Sequence, residues 1–283
     1  DRILAHLAQV LGQLPQPPTA WTTDQAELAL QSVRILLRVQ PPRFTEADAI
    51  IAHALASQSA ARVHGTNTSN PLDPRWLVVK KQAEQLRLIS LAGRGQLNDA
   101  REQLDQLQSA APATLLELLH GLSELGSHLP EATSRDLGEL QQQMGRRLQS
   151  RRAELTESQQ RMLDEILAQA YVASGDLPEA AAVYKQLLQA TPNDKRLMAT
   201  LARVYFQRGQ ASDLEQAQHW WSKLEQLEAP GSLPWLEARL EVLLSMQRRG
   251  HDADARKLLS VTRILYPQLG SPELKARFDS LEL

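Results

Sequence analysis

Three glycines open the same pattern: an alanine follows at five residues, large or β-branched residues at nine and twelve, and a proline at seventeen. The copies are Gly95, Ala100, Leu104, Leu107, Pro112; Gly175, Ala180, Tyr184, Leu187, Pro192; and Gly250, Ala255, Leu259, Thr262, Pro267. Recurrence at fixed spacing marks a repeat protein, in which each copy buries its apolar face against its neighbours. This chain is therefore held to stacked copies of one supersecondary unit.

Physically the pattern is a helix, a tight turn, a second antiparallel helix and a stop. Glycine closes the first helix because it takes the left-handed conformation without a Cβ penalty. The alanine lets two helix backbones approach, and the residues four and seven beyond it share its face. Proline then ends the pair. A stretched fourth copy runs Gly209, Ala217, Trp221, Leu224, with the insertion expected in the turn. Gly209 lies 34 residues after Gly175, Gly250 lies 41 after Gly209, and the 80 residues from Gly95 to Gly175 leave room for one enlarged, divergent pair.

Between these anchors, residues 2–12 read as a short apolar helix ended by Pro15, Pro17 and Pro18. Thr22 with Gln25 has capping-box spacing and starts a helix through Val39. Its partner is expected over Thr45–Val63, with Ala47, Ile51 and Ala54 repeating the alanine, four, seven spacing. Residues 65–74 read as a protease-sensitive loop, followed by Asp73-Pro74 as a helix start and by helices at 74–93 and 96–110. Thr114 with Glu117 suggests another capping box, and Leu137, Leu140, Met144 and Leu148 carry an overlong helix over Glu131–Ala153. Thr156 with Gln159 caps the next helix. Ser271, Pro272 and Glu273 start a terminal cap that buries Leu274, Phe278 and Leu281.

Residues 161–194 resemble a tetratricopeptide repeat: Leu167, Ala168, Tyr171, Ala180, Tyr184 and Pro192 stand where that family places its packing residues. Segments 81–114, 195–230 and 236–269 are looser copies, departing from the first-helix pattern at Arg239, as the best copy does at Asp164. The resemblance implies an all-α, right-handed superhelical solenoid of antiparallel helix pairs, with about six pairs plus terminal helices. Residues 1–283 are expected to form a single solenoid. Its parts are divergent N-terminal helices and a first pair at 1–64, a repeat at 74–112, an enlarged divergent pair at 113–155, three repeats at 156–269 and a capping helix at 270–283. Asp1 follows no methionine or leader, so a processed protein or a piece of a longer one is expected.

The chemistry of the chain points away from catalysis. Its seven histidines form no pair at metal-ligand spacing, and no nucleotide-binding or hydrolase motif occurs. Gly93-Arg94-Gly95 lies between two helices with no strand before it, as a helix-ending glycine does and a phosphate loop does not. The absence of cysteine excludes disulfides, thiolate metal sites and cysteine nucleophiles. A net charge of −2 argues against a nucleic-acid partner, and no run approaches the roughly eighteen apolar residues of a membrane span. Asn67-Thr68-Ser69 matches the glycosylation triplet, a pattern common by chance. No catalytic, cofactor or metal residue is expected.

A protein or peptide partner is the remaining expectation, bound through a groove or the long mid-chain helix, with weak self-association as a further property. A regulatory or sensor module of a larger protein, or a structural element of an envelope or secretion assembly, are the alternatives. The resemblance implies that the groove is lined by Met162, Glu165, Gln169 and Val172, then Arg196, Ala199, Arg203 and Phe206, then Glu237, Leu240, Leu244 and Gln247. Arg196, Arg203 and Phe206 are its most interaction-like cluster, with Glu165 and Gln169 beside them; the alternatives are solvated arginines and a Phe206 packed on the next repeat. The family's clasp for acidic chaperone tails would fall at Glu165, Gln169, Thr200, Glu237 and Glu241, where three of five charges are reversed. Trp221 takes a packing position, which leaves Trp220 either exposed to a partner or folded over the inserted turn with Trp235.

Overall fold

The structure is a computed structural model that describes residues 2–15, 19–39, 41–64, 73–107, 110–126 and 131–281. The residues expected to form the protease-sensitive loop lie at 65–74; 65–72, with the Asn67 triplet, fall outside the described residues. Every regular element described is helical. Contacts divide the chain into two compact units, Asp1–Gln159 and Gln160–Leu283.

The first unit contains α1 (Arg2–Gly12), α2 (Thr23–Arg38), α3 (Phe44–His64), α4 (Arg75–Gly93), α5 (Leu97–Gln106), α6 (Pro112–Gly126), α7 (Glu131–Ser150) and a 3-10 turn at Arg152–Glu154. Thr22 builds the expected capping box with Gln25, and Asp73 accepts the Arg75 backbone N–H at 2.9 Å. Helix α2 packs on α3 and α4, and α4 on α5 and α6, so first helices of successive pairs lie side by side. Ala26, Ala29, Ala47, Ala54 and Ala83 are fully buried in the core around Trp21, Leu30, Ile51 and Trp76. Two expectations are corrected here. Thr114 does not cap a helix, because α6 already starts at Pro112, whose fixed φ suits a first helical position; its hydroxyl accepts from Lys81 Nζ at 2.9 Å instead. The long helix α7 stops at Ser150, where Arg151 leaves helical geometry, pairing with Glu154 and donating to the Ala110 carbonyl.

The second unit is built from α8 (Glu157–Ser174), α9 (Leu177–Ala190), α10 (Lys195–Arg208), α11 (Ala211–Gln226), α12 (Leu233–Arg248), α13 (Asp252–Leu265) and α14 (Pro272–Asp279). Thr156 and Gln159 exchange the two bonds of a capping box at the start of α8. The recurring glycines behave as one device: Gly175 has φ 89 and Gly250 φ 77, the left-handed region in which a Cβ is strained. The recurring alanines Ala100, Ala180, Ala217 and Ala255 are each 0% exposed, and Tyr184, Trp221 and Leu259 are buried beside them. A larger side chain at those alanines would meet the partner helix.

The stretched copy differs from expectation. Helix α11 begins at Ala211, two residues after Gly209, as α9 begins two residues after Gly175. The three extra residues lengthen the helix instead of the turn. Three residues are close to one turn of 3.6, so Ala217, Trp221 and Leu224 keep their inward phase. The departure at Arg239 also has a cause: its guanidinium pairs with Glu225 of α11 and stacks 4.6 Å from the centre of the Trp235 ring. At the C-terminal end, α14 buries Leu274 and Phe278 and lies against α12.

Candidate functional site

In the first unit a groove of about 630 Å³ lies between α2, α4 and α6. That volume is within the range of about 300–1,000 Å³ typical of ligand sites. Each helix contributes residues at helical spacing: Arg34, Leu37 and Arg38 from α2; Gln85, Leu86 and Ile89 from α4; Glu117, His120, Gly121 and Glu124 from α6. Leu37, Leu86 and Leu118 are buried and form an apolar floor, while the walls are charged. A Cβ on Gly121 would sit 2.8 Å from Ile89 Cδ1, so the missing side chain is what lets α4 and α6 close at the floor.

The walls carry opposite charges. Arg38 of α2 reaches Glu124 of α6 at 2.5 Å and bridges the groove, with His120 Nε2 3.9 Å from the same carboxylate. Arg34, Gln85 and Glu117 are different. Among the described residues none of these three makes an ion pair or a side-chain hydrogen bond, although all three line the groove. The site thus presents an unspent guanidinium on one wall, an unspent carboxylate on the other and an amide between them.

The six residues expected to bind a partner all lie in the second unit. Glu165 of α8 accepts from Arg196 of α10 at 2.8 Å and from Arg161 at 3.3 Å, and Arg161 also lies 3.5 Å from Asp194. The hydrogen bond to Glu165 raises Arg196 above its ordinary pKa, and burial pushes the neighbouring Tyr184 hydroxyl up to about 12. Arg203 is exposed and stands 5.8 Å over the Trp221 ring. Phe206 packs on the core shared with α12 and is covered by the Arg248 guanidinium 4.5 Å from its ring centre. Gln169 is exposed on α8, one turn beyond Glu165.

Trp220 is half-buried on α11 with Lys223 and His219 against its ring, at 5.2 and 5.5 Å. It does not fold over the turn with Trp235, which pairs with Tyr266 instead. The structure therefore joins Glu165 to Arg196, places Arg203 and Phe206 on other partners, and puts Trp220 in a packing cluster. Of the groove positions expected in the last copy, Leu240 is buried, and Leu244 and Gln247 line a small pocket closed by Arg277, Ser280 and Leu281 at α14.

The groove of the first unit escaped the sequence because its walls come from three helices up to 90 residues apart, from Arg34 to Glu124. A usable signal was present. The groove positions applied to the later copies fall, in the copy at 81–114, on Gln82, Gln85, Ile89 and Ala92, and two of these line the cavity.

Residues 171–217 match the family model described as Tetratricopeptide repeat. The match runs from Tyr171 in α8 to Ala217 in α11 and relates that stretch to the tetratricopeptide superfamily. Repeats of this family form protein–protein interaction modules and are generally non-catalytic. No curated protein matches the chain. Among the described residues no helix is long and apolar enough to cross a membrane.

Proposed function

We propose that the protein, related through residues 171–217 to tetratricopeptide repeats, is a non-enzymatic scaffold that holds a polypeptide partner in the groove between α2, α4 and α6. The observation that carries this is the groove's composition. An apolar floor supplies burial, and Arg34, Gln85 and Glu117 supply polar groups whose bonding capacity no group among the described residues uses. The α8–α10 face offers less, because Glu165 and Arg196 neutralise each other and Phe206 is already covered. Helix α7 likewise spends its apolar line, Leu137, Leu140, Met144 and Leu148, inside the first unit.

The test is affinity capture with a groove-filling variant. Gln85→Trp should lose the partner that the wild-type chain retains, whereas Glu102→Trp, on the exposed side of α5, should keep it. Equal capture by both folded variants would remove the groove as the binding site.

A further inference from the structure

Helix α13 carries apolar residues where the other copies of the unit are mostly polar or small. Eleven, fourteen and fifteen residues after the opening glycine stand Gln106, Ser109 and Ala110 in one copy and Gln186, Gln189 and Ala190 in the next. In the stretched copy, allowing for its three extra residues, they are Lys223, Gln226 and Leu227. In the last copy they are Val261, Ile264 and Leu265, which are 50%, 78% and 62% exposed. Single exposed apolar side chains are ordinary, but three within five residues form a patch. Helix α14 seats Leu274 and Phe278 on the core that holds Ala255 and Leu259, so the cap takes the inward face of α13 and leaves these three in solvent. Leu258, three and seven residues before Val261 and Leu265, packs on the core of Trp221 and Leu224 from α11; the patch begins where that core ends.

We infer that this patch pairs with the same patch of a second copy of the chain, two α13 helices crossing antiparallel near Val261. The cations beside it are answered within the chain: Lys257 pairs with Asp254 at 3.5 Å, and Arg263 with Asp279 at 3.1 Å. An acidic peptide or an anionic lipid surface therefore gains little there, whereas a like apolar surface gains burial. A two-fold contact is isologous, so each apolar side chain meets the same set on the second copy. With the axis at Val261, Lys257 lies four residues to one side and Leu265 four to the other. Each lysine stem then covers Leu265 of the second copy, and its ammonium reaches the C-terminal carbonyls of that helix, which attract a cation. A parallel pair would instead set the two Lys257 side chains together and repel. Three apolar side chains a side fall short of the roughly 800 Å² per partner of a stable complex, so the dimer is weak, with a dissociation constant on the order of 100 μM.

Sedimentation velocity of the full chain from about 5 to about 500 μM tests this. The weight-average mass should rise from 31.6 kDa toward twice that value. Ile264→Glu changes a side chain already in water, so the fold stays, and the dimer should weaken by about tenfold or more. Lys257→Glu should weaken it by about threefold, because an acid then faces the helix C-terminus of the second copy. Leu77→Glu, at a comparably exposed apolar residue of α4, should leave it unchanged. A monomer across the whole range, or equal dimerisation of wild type and Ile264→Glu, would overturn the inference. Equal losses from Ile264→Glu and Leu77→Glu would overturn the assignment to α13, and no loss from Lys257→Glu would overturn the antiparallel arrangement. A monomer that co-sediments with phosphatidylglycerol vesicles, and loses them on Ile264→Glu, would replace the second copy by a lipid surface.

Discussion

Gly121 sits inside α6, where glycine is less favourable than alanine by about 1 kcal/mol. Its Cβ would lie 2.8 Å from Ile89 Cδ1 and 3.7 Å from Cγ1, so only the terminal methyl is in conflict. Moving that methyl off its rotamer costs about 0.5–1.5 kcal/mol, which offsets the helix gain and leaves Gly121→Ala close to neutral. Ile89→Val deletes Cδ1. In that background the same substitution should gain the full helical term, about 1 kcal/mol, and the double-mutant cycle should show a coupling of similar size. Urea unfolding followed through exchange protection of α4 and α6 amides isolates the first unit. Stabilisation by about 1 kcal/mol in both backgrounds, with no coupling, would refute the close approach of Gly121 to Ile89.

Ala180→Leu should destabilise by about 1–3 kcal/mol through overpacking, while the exposed neighbour Ala182→Leu should change stability by less than about 0.5; thermal unfolding distinguishes them. Arg239→Met should cost about 3 kcal/mol, because it strands Glu225 in a site where both side chains are only 15% exposed. Adding Glu225→Leu should recover most of that loss. Tyr184, pushed up to about 12 by burial from an ordinary value of 10.0, keeps its proton in the folded state after the unfolded chain has lost it. Stability should therefore be complete below pH 10 and fall as pH rises from 10 to about 12, and Tyr184→Phe should flatten that slope in urea melts across the window.

The repeat was legible because its signals are local. Gly175 and Gly250 need a left-handed backbone, Ala180 and Ala255 need a close helix neighbour, and Thr22 and Thr156 need a partner three residues on; each requirement is written within a few positions. The misreadings arose where two local rules compete. Pro112 could end one pair or start α6, and the structure uses it as a start, leaving Thr114 inside the helix. The insertion after Gly209 could lengthen a turn or a helix, and near-integral helical phase makes the helix the better host. The candidate site was harder still. Arg34 and Glu117 look like any exposed helix residue until α2 and α6 are brought together, whereas the pairing of exposed Arg196 with Glu165 and the stacking of Arg248 on Phe206 show only when α8, α10 and α12 are in place.

The central claim is that a polypeptide is held between α2, α4 and α6. Replacing Gln85 with a photo-crosslinking side chain in the full chain and mapping the adduct tests it most directly. A crosslink between position 85 and a peptide of the captured partner, absent when the same group is placed at Glu102, is the predicted result. Crosslinking at position 102 but not at 85 would contradict the account.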